Sequence, residues 1–197
     1  AAIDYYIKAV AIDSTKAPGF KNLADLLRQS RPAEEAIPYY KKYLDLVGKK
    51  KTLGDDLGLA NLYLAASNKD SIAEDAKMAF KQDADKIYEG IANEMSAPEN
   101  EGKYDASLFY LPWYYRAQLW ITNPAEAEEK PKMYYEKALE LIGENEKLAR
   151  QREVSAQYLM LYHFKTNNDE ECMKYLEKVL LANPNNRVAN QIMQFLM

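Results

Sequence analysis

One cysteine, one histidine and seven glycines are all that this 197-residue chain holds of three residue types from which many active sites are built. Cys172 alone cannot form a disulfide within the chain. A zinc site needs about three or four Cys, His or carboxylate ligands, and so small a supply argues against metal. The glycines are not clustered, and no phosphate loop, dinucleotide-binding turn or EF-hand spacing occurs. No run of about 18 apolar residues is present, so no membrane-spanning helix is expected. Nor is there an excess of positive charge. Lys and Arg number 26 against 30 Asp and Glu, for a formal charge of -4 and a pI of about 5.3. That balance argues against nucleic acid or anionic lipid as partner. The longest basic run, Lys49-Lys50-Lys51, falls in an expected turn and reads as solvated. Neither an initiator Met nor a charged-then-apolar leader opens the chain. It begins inside a helical pattern, which reads as a piece of a longer chain, and its single 1–197 domain is read on that footing.

What the chain does have is helix-forming material. Val and Ile are sparse beside Ala, Leu, Lys, Glu and 16 Tyr, and no long alternating stretch suggests a sheet. A pattern recurs: a small residue, three others, an aromatic, two others, a small residue, four others, a breaker. Ala2, Tyr6, Ala9 and Ser14 fit it. Ala36, Tyr40, Tyr43 and Gly48 repeat it 34 residues on, with Tyr43 replacing the second small residue. Ala84, Tyr88, Ile91 and Ser96 follow loosely, then Pro131, Tyr135, Ala138 and Gly143, then Cys172, Leu176, Val179 and Pro184. Positions 3, 4 and 7 apart share a helix face. Small residues there admit a neighbouring helix, the aromatic fills the space beside it, and the breaker ends the helix.

Between these helices lie apolar stripes of partner helices: Phe20, Leu23, Ala24 and Leu27; Asp56, Leu59, Ala60 and Tyr63; Trp113, Ala117 and Trp120; Ala156, Leu159, Met160 and His163. Each stripe leads into a turn: residues 29–32, residues 68–71, Asn123-Pro124, and residues 167–169. Their Asn, Asp and Ser residues are expected to cap the following helices. The paired tyrosines Tyr5-Tyr6, Tyr39-Tyr40 and Tyr134-Tyr135 recur at one helix position, the second of each pair expected to pack and the first to face elsewhere.

This pattern resembles the tetratricopeptide repeat (TPR) family, built of 34-residue helix-turn-helix units. The resemblance runs over nearly the whole chain and is strongest over residues 20–48 and 156–184. It implies an all-α fold, a right-handed α-α superhelix or TPR-like solenoid of about ten helices. Pro131 and Cys172 stand where the family favours Ala, and Arg116 where Leu is usual. Residues 52–96 carry a long second helix, expected over residues 71–95, that either packs or projects. Residues 1–13 read as the second helix of a hairpin, which leaves an end open to self-association, and residues 187–197 as a closing helix with Val188, Ile192, Phe195 and Leu196 apolar. The texture of YLPWYYRAQLW followed by PKMYYEKAL is similar to TPR proteins of the Bacteroidetes cell envelope. That points to a periplasmic or envelope location and leaves the cytoplasm open.

Catalysis finds little support. His163 lies on an apolar face where the family places a packing residue, and burial of Cys172 would raise its thiol pKa rather than activate it. The acid pairs Glu34-Glu35, Asp55-Asp56, Glu128-Glu129 and Glu170-Glu171 mostly sit at helix starts, where the helix dipole explains them.

The resemblance implies a groove lined by the first helix of each hairpin. Projection from the stripes places Lys21, Asp25 and Arg28 there, then Leu57, Asn61 and Leu64, then Tyr114, Gln118 and Ile121, then Gln157, Leu161 and Phe164. Asp25 follows Lys21 where an Asn would complete the family's carboxylate clamp, so that clamp is not expected. A mixed aromatic and amide groove suits a peptide or a partner protein. The expectation is a non-enzymatic interaction scaffold without cofactor. Two alternatives stay open: a small-ligand module stacking its ligand on Trp113, Tyr114, Tyr115 and Trp120, and a structural segment of a larger protein.

Overall fold

The computed structural model describes residues 2–122 and 127–196. Among them it contains ten α-helices and no strand: α1 (Ala2–Ile12), α2 (Ala17–Ser30), α3 (Ala33–Val47), α4 (Leu53–Ser67), α5 (Glu74–Ser96), α6 (Leu111–Trp120), α7 (Glu129–Ile142), α8 (Ala149–Lys165), α9 (Asp169–Ala182) and α10 (Arg187–Leu196). The all-α solenoid read from the repeat is the fold adopted. The chain divides into two compact units, Ala1–Ile91 and Ala92–Met197, and α5 begins in the first and ends in the second. The turn expected at Asn123-Pro124 lies outside the described residues.

In the first unit α2 pairs with α3, α1 lies on α2, and α3 on α4. The small-aromatic pattern does what its spacing dictates. Ala24, Ala36 and Ala60 are wholly buried at helix contacts, and Tyr40 and Tyr43 fill the space beside them, their rings edge to face at 5.6 Å. Gly58 of α4 is part of the same fit, since a Cβ there would lie 2.1 Å from the Tyr40 hydroxyl oxygen. Gly48 closes α3 with φ of 53°, its N–H donating to Leu44 O, in a region open to glycine at little cost. The long helix α5 starts at Glu74 rather than at 71, and from Ala84 onward it is packed: Ala84, Tyr88, Ile91, Ala92 and Met95 are all buried.

In the second unit α6 pairs with α7 and α8 with α9; α7 lies on α8 and α9 on α10. Ala117, Ala138, Ala156, Cys172 and Ala189 are fully buried at the close approaches. Pro131 fits its alanine slot because it occupies the first turn of α7, where no intrahelical N–H bond is required. Gly143 ends α7 as Gly48 ends α3, at φ of 51°.

Several local expectations change. Asn168 caps α9 as expected, accepting from the Glu171 N–H, but α3 starts at Pro32 without a side-chain cap. In the α4 stripe it is Asp55, not Asp56, that is buried. Trp113 and Trp120 are only half-buried, while Arg116 and Leu119 go inside. Arg116 takes its leucine slot by laying its guanidinium against Trp113 and Tyr134, 4.5 Å from the Tyr134 ring centre. That contact also buries Tyr134, so in the third tyrosine pair both rings pack. In the first, Tyr5 is 69% exposed while Tyr6 is half-buried.

Candidate functional site

Every groove residue expected from sequence is half-buried except the exposed Arg28. Most of their polar groups are already engaged. Lys21 reaches across from α2 to Asp55 of α4, Nζ to Oδ1 2.8 Å, over a separation of one 34-residue period. Tyr43 donates to the same oxygen at 2.8 Å, and the Thr52 backbone N–H and hydroxyl donate to Oδ2 at 2.9 and 2.8 Å. Burial alone would raise the Asp55 pKa; the bonds from Lys21, Thr52 and Tyr43 outweigh it and hold the carboxyl well below the usual carboxylate range. The Asp55 bond likewise raises the Lys21 ammonium above its ordinary value. The Lys21 charge is thus committed inside the first unit. Asn61 accepts from the Tyr88 hydroxyl at 2.8 Å, and Asp25 lies 3.9 Å from Arg28.

In the second unit Tyr114 is edge to face with Tyr110, Tyr115 and Tyr135, and burial raises the pKa of its hydroxyl, which bonds with Gln118. Trp113 tilts against Tyr134 at 6.1 Å. Trp113 and Tyr114 of α6 therefore pack their rings against α7. Gln157 accepts from the Asn186 amide at 2.8 Å, and Glu153 accepts from both Asn183 and Asn186. That cluster ties the α9–α10 turn back onto α8.

Two of the expected residues are brought together with a second wall. Leu161 and Phe164 of α8 face Val188, Ile192 and Phe195 of α10, with Lys165 and Gln191 at the edges, around an open cavity of about 360 Å³. Phe164 and Phe195 meet edge to face at 5.4 Å, yet Phe195 is 76% exposed. The face is almost purely apolar. Val188, Ile192 and Phe195 read as an apolar stripe in sequence, which does not by itself name α8 as the facing helix. The signal was available: α10 follows α9 as α8 follows α7, so positions 188, 192 and 195 must turn toward α8. A second cavity, about 310 Å³, lies in the first unit between Ile3, Ile7, Leu27, Pro38 and Tyr39, with Asp4, Arg31 and Glu35 on its wall. Arg31 and Glu35 approach to 3.8 Å, a solvated pair too long for a hydrogen bond.

Neither candidate for nucleophilic chemistry is poised. His163 is buried, stacked on Tyr175 at 5.5 Å and 7°, and burial lowers its pKa. Burial likewise raises the Cys172 thiol pKa. Among the described residues no helix is long and apolar enough to cross a membrane.

Residues 155–186 match the family model of the tetratricopeptide repeat. No curated protein matches the chain. The chain is similar in structure to the C-terminal part of a TPR repeat-containing protein from Cytophaga hutchinsonii, at TM-score 0.70 and 18% identity over 96% of this chain. It spans 65% of the length of that relative, and at such identity the likeness speaks for the fold alone. It also aligns with YrrB, a TPR protein with an unusual peptide-binding site, at 16% identity over 96% of this chain and 97% of that one; the TM-score of 0.40 carries no argument here. Residues 155–186 thus match a tetratricopeptide repeat, and the helices of the chain share the fold of a solved TPR structure.

Proposed function

We propose that this chain is a non-catalytic interaction module that holds apolar side chains of a protein or peptide partner in the α8–α10 groove. Proteins of this fold generally serve as interaction scaffolds, and the fold by itself does not choose the partner. The observation that supports the groove is the 360 Å³ apolar cavity with the 76%-exposed Phe195 on its rim. A large aromatic left in water beside an open cavity gains by being covered, and such residues dominate binding energies. A helix presenting apolar residues at i, i+3 and i+4 fits a groove of this kind. Lys21, Asp25, Arg28, Asn61, Tyr114, Gln118 and Gln157 do not line this cavity and are proposed separately, as surface positions of the unit each belongs to. Held mostly by neighbours in their own unit, they shape its surface rather than anchor the partner. The acidic chain favours a protein partner over nucleic acid.

The test is selection of binding peptides from a displayed library, followed by titration against wild type and Phe195→Ala. The groove reading expects selected peptides with paired apolar residues, and at least about a tenfold loss of affinity in the variant. Peptides that bind the variant as tightly as wild type would place the binding surface elsewhere.

A further inference from the structure

His163 is a group that the proposed groove does not use. It lies on α8, one residue before Phe164, at 7% exposure. Its ring stacks flat on Tyr175 of α9 and meets Tyr162 of its own helix edge to face at 5.2 Å. Neither ring nitrogen has a hydrogen-bond partner among the described residues. A neutral imidazole is tolerable there as a flat filler. An imidazolium carries two N–H donors and a charge, and a buried charge without a partner costs several kcal/mol.

The charges that face it are already spent on one another. From α7 come Glu129, Lys132 and Glu136, with Lys132 Nζ 3.7 Å from both carboxylates. From α9 come Glu171 and Lys174, paired at 3.0 Å. The Tyr162 hydroxyl donates to Glu129, which raises the phenol pKa to about 12 and keeps that carboxylate occupied. A histidinium would have to share one of these carboxylates with the partner it already holds.

We propose that His163 is an acid-sensitive latch on the α8–α9 hairpin. Neutral, it fills the space between α8 and Tyr175 and the hairpin is closed. Protonated, it is a buried cation without an acceptor, and the hairpin loosens. Leu161 lies two residues before it and Phe164 one after, so acid opening disturbs the α8 wall of the apolar groove. The latch stands whether or not that groove binds a partner. Burial lowers the pKa of the folded-state imidazole. Stability from the neutral form is therefore fully present above the ordinary histidine value of about 6.5 and is lost as pH falls through the folded-state value.

The experiment is amide hydrogen exchange at pH 7.5 and 5.5, corrected for intrinsic rates, on wild type and on His163→Phe, which keeps a ring against Tyr175. A second variant, His163→Gln, guards against a folding defect in the first. Opening of residues 155–182 is expected to rise about tenfold in wild type between the two pH values. In the variants it should stay flat, and α2 and α3 should not change in any of them. Equal protection of residues 155–182 at both pH values in wild type would overturn the latch. So would the same acid response in both variants.

Discussion

The attachment of α4 to α2 and α3 and the junction between α7 and α8 solve one geometric problem with different chemistry. Both tie side chains about one repeat apart: Lys21 to Asp55 across 34 residues in the first unit, Tyr162 to Glu129 across 33 in the second. The first uses charge, with a buried carboxylate at the centre and Lys21, Thr52 and Tyr43 around it. The second uses phenols. Tyr162 reaches Glu129, Tyr158 donates to the Glu128 carbonyl at 3.2 Å, and Tyr135 lies 5.0 Å from the Tyr158 ring. The repeat therefore specifies a helix separation and leaves the bridging groups free to vary. It also separates the acid responses of the two units. Asp55, with its pKa held low, contributes stability that is present above the ordinary carboxylate range of about 4 and is lost only as pH falls further, through its folded-state value. His163, also with a lowered pKa, fails on the way down from about 6.5.

The comparison breaks most visibly at Asp55. Asp55→Ala removes the shared acceptor of a lysine, a tyrosine, a threonine hydroxyl and a backbone N–H, and leaves α4 without its reciprocal cap. Chemical denaturation of this variant should show a loss of about 3 kcal/mol in the first unit, and Asp55→Asn less. A loss below about 1 kcal/mol would mean that apolar packing alone holds α3 on α4. Next is Gly58→Ala, where the new methyl meets the buried Tyr40 hydroxyl; a cost of about 2 kcal/mol is expected, partly relieved by Tyr40→Phe. Unrelieved loss in the double variant would mean that the Tyr40 ring, whose carbon would lie 2.7 Å from the new Cβ, sets the clash rather than its hydroxyl. Tyr162→Phe should cost only about 0.5–1 kcal/mol in the second unit, because Glu129 is largely exposed. The smallest effect belongs to Phe195→Ala, within about 0.5 kcal/mol of wild type by thermal melting, since that ring lies mostly in solvent.

The parts of this account that sequence carried are those fixed by helix period. Ala36, Ala84, Ala138 and Cys172 are fully buried because a small residue every three or four positions admits only one packing side. What the stripes could not carry depends on partners far along the chain. Asp55 looks like any acid in a first helical turn until Lys21, one period earlier, is placed opposite it. Arg116 looks like a defect in the pattern until Trp113 and Tyr134 close over its guanidinium. Capping was half legible for a related reason: Asn168 acts locally, whereas α3 starts at Pro32, which has no side-chain acceptor to offer. In the groove, Leu161 and Phe164 were placed by projection along α8, and the opposing wall required knowing that α10 continues the stack.

The central functional claim rests on that wall. Its most direct test is methyl NMR of the labelled chain during titration with a peptide selected for binding. The account predicts saturable shifts at Leu161, Val188 and Ile192, with methyls of the first unit unmoved. Saturable shifts confined to the first unit, or to methyls away from α8 and α10, would contradict it.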